Sequence, residues 1–338
     1  MKSIVYSETG DPSVLRLVDS EIPEPGPGEV RVRVVVSGVN PTDWKNRSAD
    51  TMPFPEVTPH LDGAGFVDAV GADVDGFAVG DRVWMYMAAA GRPTGTAQEF
   101  TVIPAERAVR LPGDVAFDVG AALGVPAITA HRALTVADGG PRRLEPAALT
   151  GRTVLVAGGA GAVGHAAIQL ARWAGATVIS TVSGPAKAAL ATAAGAHHVV
   201  NYRDGDPAAE IRALAPDGVH VIVEVALAAN LGLDRAVLAN RGTISVYANN
   251  GGDTAPVDIR PHMVLNTRFQ FLLLYTVGEA ALEVAAADIT AALRDGALPI
   301  GEEHGLPLIR FPLAATADAH RAVEADAVGK VLVDVSEG

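Results

Sequence analysis

The chain contains no cysteine among its 338 residues. That absence excludes disulfides and every thiolate metal site. Aromatic residues make up only 5% of it, and no apolar run reaches the length of a membrane span. Positive charge is also scarce: 26 Lys and Arg stand against 39 Asp and Glu, a net charge of −13. Such a balance argues against nucleic acid or an anionic membrane as the main partner. The opening MKSIVYSETGDPSV lacks the apolar core of a signal peptide, so the expectation is a soluble cytoplasmic protein. A more local absence bears on ligand choice. No Asp or Glu occurs from Gly151 to Arg203.

What is present begins with hydrophobic content of 49% and charged content of 19%, the composition of a folded globular chain. Its length allows two domains. The first 37 residues alternate in a β manner, most clearly in EVRVRVVVS at 29–37. Further strands at 61–70, 81–86 and 97–103, separated by glycine turns, complete an all-β section. GVNPTDWKNR at 38–47 reads as a polar loop or short helix. Residues 117–134 turn helical, with Pro126 dividing two segments.

From 151 onward strands and helices alternate, predicting a doubly wound sheet of six strands. The strands fall at 154–157, 177–181, 198–201, 220–224, 242–246 and 268–274, with helices near 164–174, 185–194, 206–214, 230–239 and 279–295. The tail returns to β character, with a short helix at 314–325 and a strand at 329–335 that could pair back into the first section.

The stretch TVLVAGGAGAVG at 153–164 organises the second half. Its apolar, β-branched start reads as a buried parallel strand. Apolar side chains at 163, 166, 167, 170, 171 and 174 then mark one face of a helix that Gly175 stops. Between them the spacing Gly159-x-Gly161-x-x-Gly164 predicts a dinucleotide-phosphate turn, with free N–H groups at the helix start facing an anion. The turn spans Gly158, Ala160, Gly161, Ala162, Val163 and Gly164; the bland reading is a turn kept for close helix–strand packing. An NAD site would carry an acidic residue near the end of the next strand, to hold the ribose diol. Here Ser183 and Lys187 follow that strand and Tyr202-Arg203 follows the next. Hydroxyls and positive charge suit a 2′-phosphate, so the expected cofactor is NADP(H).

The chain resembles the zinc-independent medium-chain dehydrogenase/reductases, in particular the quinone oxidoreductase and zeta-crystallin branch. The resemblance rests on GVNPTD at 38–43, PHLDGAG at 59–65, GDRV at 80–83, VPAITAHRAL at 125–134, the glycine turn, Gln169 with Arg172, GAHHVVNYR at 195–203 and AHRAVEADAVGKVLV at 319–333. It implies an α/β fold: a GroES-like catalytic domain over 1–124, completed by 299–338, and a Rossmann domain over 125–298. It implies no metal, because Asn40 and Leu61 stand where zinc members carry Cys and His. The lone neighbour His60 reads as a packing residue.

The resemblance further implies site residues. Asn40 would lie beside the nicotinamide and Thr129 would contact the cofactor. Gly161, Ala162 and Val163 would offer backbone to the pyrophosphate; Ala162 replaces a usual glycine, which is tolerable where φ is negative. Val246, Tyr247 and Ala248 would border the nicotinamide. Phe271, Leu272, Leu273 and Leu274 would reach its carboxamide, with Tyr247 and Phe271 bulkier than the usual glycines. Lys330 would be a phosphate contact or an ordinary edge lysine. Asn40, Asp43 and Tyr86 are the polar candidates for meeting charge on a reacting carbonyl, though Asn40-Pro41 also reads as a turn and Asp43 as a cap. The implied reaction is NADPH-dependent reduction of a quinone. The rivals are reduction of an enone or enoyl ester and non-catalytic NADPH binding. The apolar strand FQFLLLY at 269–275 predicts a homodimer formed across a sheet edge.

Overall fold

The structure is a computed structural model that describes residues 1–337. It divides into two compact units: unit 1 is Met1–Val125 with the chain from Leu308 onward, and unit 2 is Pro126–Pro307. In chain order, the first part runs β1 (Lys2–Val5), β2 (Arg16–Asp19), β3 (Glu29–Val39), α1 (Pro41–Arg47), β4 (Asp62–Val70), β5 (Arg82–Met85), β6 (Phe100–Pro104), β7 (Ala108–Arg110) and α2 (Phe117–Leu134). Next come β8 (Thr153–Ala157), α3 (Ala162–Trp173), β9 (Thr177–Val182), α4 (Pro185–Ala193), β10 (His198–Asn201), α5 (Pro207–Leu214), β11 (Val219–Glu224) and α6 (Leu227–Val237). The last part is β12 (Leu238–Val246), α7 (Ile259–Leu265), β13 (Arg268–Phe271), α8 (Glu279–Arg294), β14 (Leu308–Pro312), α9 (Thr316–Glu324) and β15 (Lys330–Asp334).

Unit 1 is built around β3. Its alternation puts Val30, Val32 and Val34 wholly inside, where they pack with Val67, Val83 and Ile103, while Glu29, Arg31 and Arg33 stay half-buried. Arg31 meets Asp68 at 2.6 Å on this outer face. The sheet order is β14-β15-β3-β4-β5-β7, with β6 also pairing β3. Strand β15 joins antiparallel to β3, with Val331 opposite Val39. The chain's last strand thus lies beside the residues that lead into α1.

Unit 2 holds a parallel sheet ordered β10-β9-β8-β11-β12-β13. That is the doubly wound order 3-2-1-4-5-6, which gathers the carboxyl ends of all six strands along one side. Leu155, Ile179, Val200, Ile222 and Ile244 form its core with side chains from α5 and α6.

Three local expectations change. The helix α2 runs unbroken through Pro126 instead of splitting there. The proline removes one helix donor, and its neighbour Val125 N donates to a partner outside the helix, the Asp62 carboxylate, at 2.9 and 3.0 Å. The strand expected over 268–274 stops at Phe271 and gives way to a 3-10 turn at Leu274–Thr276. The segment Ile259–Leu265, unassigned from sequence, is a helix. The later crossing between units also falls at Leu308 and not at 299, because residues 299–307 are tied into unit 2. Gln169 Nε2 donates to Pro299 O at 2.8 Å, and His165 Nε2 to His304 O at 2.9 Å. Among the described residues no helix is long and apolar enough to cross a membrane.

Candidate functional site

The glycine turn joins β8 to α3. Gly158 has φ +72°, a left-handed conformation that favours glycine. A Cβ at Gly159 would strike Ser180 Oγ, and one at Gly164 would strike Gly158 O, so both glycines are required by packing. Gly161 differs. A Cβ there would meet only Gly158 O, at 3.5 Å. The turn is thus closely packed at 159 and 164 and open at 161. Gly161 is the N-cap of α3 and supplies no side-chain hydrogen bond, so the N–H groups that open the helix have no capping side chain. Ala162 is the first helical residue and is absent from the positive-φ set, which satisfies the condition its methyl imposes.

Two strands away from the centre, β9 and β10 end together, with Val182 opposite Asn201. Ser183 and Tyr202 follow those residues directly, and Tyr202 N donates to Val182 O at 3.0 Å. Lys187 lies in the first turn of α4, two residues beyond Pro185, and is exposed. Tyr202 is 44% exposed. Among the described residues, the side chains of Ser183, Lys187 and Tyr202 make no hydrogen bond or ion pair with the protein. They offer two hydroxyls and an ammonium to an anion at the same end of the sheet as the glycine turn.

Further along that end, Val246 and Phe271 close β12 and β13 as partners in register. Leu272 N then donates to Val246 O at 2.7 Å. Tyr247, Ala248, Phe271, Leu272 and Leu273 line a cavity of about 570 Å³ in unit 2 with mostly apolar walls. Phe271 is 66% exposed, so its ring forms a rim and does not fill the cavity. Burial and the nearby Glu224 charge raise the Tyr247 phenol above its ordinary range.

Behind this wall lies a feature that sequence reading missed. Glu224, which ends β11, and Asp234 on α6 are both buried carboxyls. Glu224 Oε1 accepts from Asn230 Nδ2 at 2.9 Å and from Ala226 N, while Glu224 Oε2 and Asp234 Oδ2 have no donor. Two adjacent acceptor-only groups reconcile those orphan oxygens by sharing one proton. Burial and the Glu224 charge accordingly push Asp234 well above the carboxylate range. The visible signal was a single carboxylate ending the apolar strand VHVIVE.

In unit 1, four sequence motifs converge on one buried cluster. Asn40 is the N-cap of α1, and Asp43 closes a capping box by accepting from Asn40 N at 2.7 Å. The Asn40 amide is held at both ends: Nδ2 donates to Asp62 Oδ2 at 2.7 Å, and Oδ1 accepts from Lys330 Nζ at 2.8 Å. Lys330 also donates to Val39 O at 3.1 Å and sits 3.8 Å from Asp62. Lys330 is 1% exposed. The phosphate contact raised for it, like the edge-lysine alternative, is thus replaced by an internal one: β15 is covered by β3 and β14, and the ammonium is drawn inward by Asn40 and Asp62. Gly38 and Gly124 make room, since a Cβ at Gly38 would strike Ala121 O and one at Gly124 the Asp62 carboxylate.

Burial raises both Asp62 and Asp43 and lowers Lys330. Asp62 accepts from two N–H groups, Asn40 Nδ2 and Val125 N, and faces an ammonium, so it is the ionised partner of Lys330. Asp43, pushed up to about 8 mainly by burial, is protonated at neutral pH. The sequence signal for Asp62 is an acidic residue among small ones at the start of a strand, within PHLDGAG.

These groups do not fit a zinc ion. Asn40 offers an amide already bound to Lys330, Leu61 offers nothing, and His60 uses both ring nitrogens elsewhere. Among the described residues no three His, Asp or Glu side chains are grouped to hold a metal. Tyr86 is buried and donates to Glu106 O at 2.9 Å; Thr129 is buried on α2.

The His60 contacts form a directed chain. Thr96 Oγ1 donates to Asp62 O at 2.6 Å, which leaves Ser37 to donate to Thr96 at 2.7 Å. Ser37 must then accept from His60 Nδ1, at 2.8 Å, and His60 Nε2 must accept from His320 Nε2, at 3.0 Å. Both imidazoles are neutral in this arrangement. Burial and the Arg47 charge bring His320 down to about 3. The folded state holds this depressed value against an ordinary one near 6.5, so its contribution is complete above about pH 6.5 and is lost as pH falls toward 3. Thermal midpoints measured from pH 7 to 4 should fall, and His320→Gln should flatten that dependence; equal slopes would remove the role of the pair.

Residues 26–113 match the family described as alcohol dehydrogenase GroES-like domain, and residues 162–290 match zinc-binding dehydrogenase. A quinone oxidoreductase of Lama guanicoe is 32% identical over 98% of this chain and 97% of its own length. A mycobacterial protein solved in complex with NADPH superposes with a TM-score of 0.81 at 31% identity, covering 98% of this chain and 99% of that one. The Escherichia coli quinone oxidoreductase complexed with NADPH gives 0.80 at 25% identity, covering 99% and 100%.

Proposed function

This chain belongs to the quinone oxidoreductase family of medium-chain dehydrogenase/reductases, and from that premise we propose that it is an NADPH-dependent quinone oxidoreductase. The observation that carries the reading is the set of unpartnered donors Ser183, Lys187 and Tyr202 at the same sheet end as the open turn at Gly161. NADPH, when bound, supplies the hydride that reduces the acceptor. The chain's own part is to bind, orient and exclude water. The opening N–H groups of α3 at Ala162, Val163 and Gly164 hold the pyrophosphate, and the close turn of Gly158 and Ala160 keeps them in place. Ser183, Lys187 and Tyr202 hold the 2′-phosphate. Val246, Tyr247, Ala248, Phe271, Leu272 and Leu273 border the reacting ring through the apolar cavity of unit 2. Asn40, fixed at both ends of its amide, and Thr129 complete the cofactor contacts. Asp43, protonated up to about pH 8, is the group in unit 1 best suited to provide a proton.

The test is NADPH consumption by the purified chain with 1,4-benzoquinone. Lys187→Ala should raise the KM for NADPH about tenfold or more, the worth of one charge-assisted hydrogen bond, and leave the KM for NADH unchanged. Equal effects on both coenzymes would remove the 2′-phosphate role.

The same reading includes a homodimer. Strand β13 is a free edge of the unit 2 sheet, and Ile259, Met263, Val264, Phe271 and Leu273 form an exposed apolar group beside it. A free edge carrying exposed apolar side chains supports pairing with a second copy. Sedimentation should give twice the 34.6 kDa chain mass, and Phe271→Asp should return the monomer; a wild-type monomer sinks this part.

A further inference from the structure

Unit 2 contains a second cavity, of about 710 Å³, on the other face of β13. Strand alternation separates the two: Phe269 and Phe271 line the apolar cavity, whereas Arg268 and Gln270 line this one. It is bounded by the C-terminal half of α2 and the first turn of α8. Three guanidiniums line it, from Arg132, Arg142 and Arg268. Among the described residues none of the three makes a hydrogen bond or ion pair, and Arg132 Nε is shielded from solvent without a partner.

That grouping is unusual in a chain of net charge −13 whose neighbouring arginines are paired. Arg143 is held by Asp288 at 2.9 Å, and Arg241 by Asp138 at 3.3 Å. Asp138 is the one carboxylate on the cavity wall, and Arg241 already partners it. The start of α8 has no capping side chain, and its first turn also carries the acidic Glu279, so the attraction for an anion comes from the guanidiniums. Val136, Ala281 and Val284 supply an apolar patch beside the charges.

We propose that this cavity binds a small phosphate-bearing molecule, its phosphate gripped by Arg132, Arg142 and Arg268 and its body laid against Val136 and Ala281. Guanidinium forks match phosphate oxygens two at a time, and the volume suits a small-molecule ligand. The site is not the coenzyme's. It lies on the face of β13 opposite Phe269 and Phe271, which line the cavity that borders the reacting ring. Arg268 also opens β13, at the end away from the glycine turn.

The inference rests on the coenzyme occupying the glycine turn, so the experiment is done with NADPH saturating. Inorganic pyrophosphate is titrated calorimetrically into the NADPH-loaded protein at fixed ionic strength. The expected result is saturable binding of one equivalent per chain, weakened at least tenfold in the double variant R142Q/R268Q. Both replaced side chains are exposed, and the variant should keep the wild-type thermal midpoint and KM for NADPH. Absence of saturable binding to the wild type overturns the proposal, as does equal binding to the double variant. Displacement of pyrophosphate by an equal concentration of succinate overturns the preference for phosphate. Failure of NADPH itself to bind would appear first, as an absent coenzyme isotherm, and would fall on the function and not on this site.

Discussion

Asp62→Ala is expected to cost about 3–5 kcal/mol, a fall in thermal midpoint on the order of 10 °C. The loss is large because three groups are stranded together. Lys330 keeps a buried ammonium with no carboxylate near it, and Asn40 Nδ2 and Val125 N lose their acceptor. Neither Asn40 nor Lys330 can turn to water, since they are 2% and 1% exposed. Lys330→Met should be similarly damaging, because it leaves Asp62 charged and unpaired. The double variant D62A/K330M should cost less than the two single losses added together, since it removes both charges. Thermal unfolding of the four proteins measures this cycle. An unchanged midpoint in Asp62→Ala would mean that the cluster holds no buried ion pair.

Gly161→Ala and Gly164→Ala should separate cofactor binding from folding. At Gly161 the added methyl has room in the free protein, and φ of −87° is open to alanine. The midpoint should therefore move little. The methyl would instead stand where a pyrophosphate approaches the start of α3, raising the KM for NADPH by about tenfold or more. At Gly164 the methyl would run into Gly158 O and lie 2.9 Å from Gly159 Cα, both of them backbone. That variant should lose several degrees of midpoint or fail to accumulate as folded protein. If Gly161→Ala binds NADPH as tightly as the wild type, the turn does not carry the phosphates.

The contrast between these predictions reflects what was legible in the chain. The glycine turn could be read because strand, turn and helix start lie within a dozen residues, and the steric demands on Gly159 and Gly164 are local ones. Ser183 and Lys187 were legible for a similar reason: they directly follow the second strand of a βαβ unit, whose parallel pairing fixes which end they reach. Lys330 could not be placed in this way. Its position after Gly329 looks like that of any strand-edge lysine until β15 pairs with β3 and sets its ammonium against Asn40. The Glu224–Asp234 pair was equally hidden, because nothing in either residue's neighbourhood says that the other faces it.

The sequence by itself determined most of the order of strands and helices, the doubly wound half, and the glycine turn between strand and helix. Periods of two and 3.6, glycine spacing and a missing carboxylate are properties of contiguous residues and survive without coordinates. Only the tertiary structure decided the ionic interior of unit 1, the contact of Asp62 with Val125 inside α2, and the gathering of three arginines around one cavity. Each of these joins residues distant along the chain, and the energy of a buried charge depends on which partners surround it, a quantity no local pattern encodes.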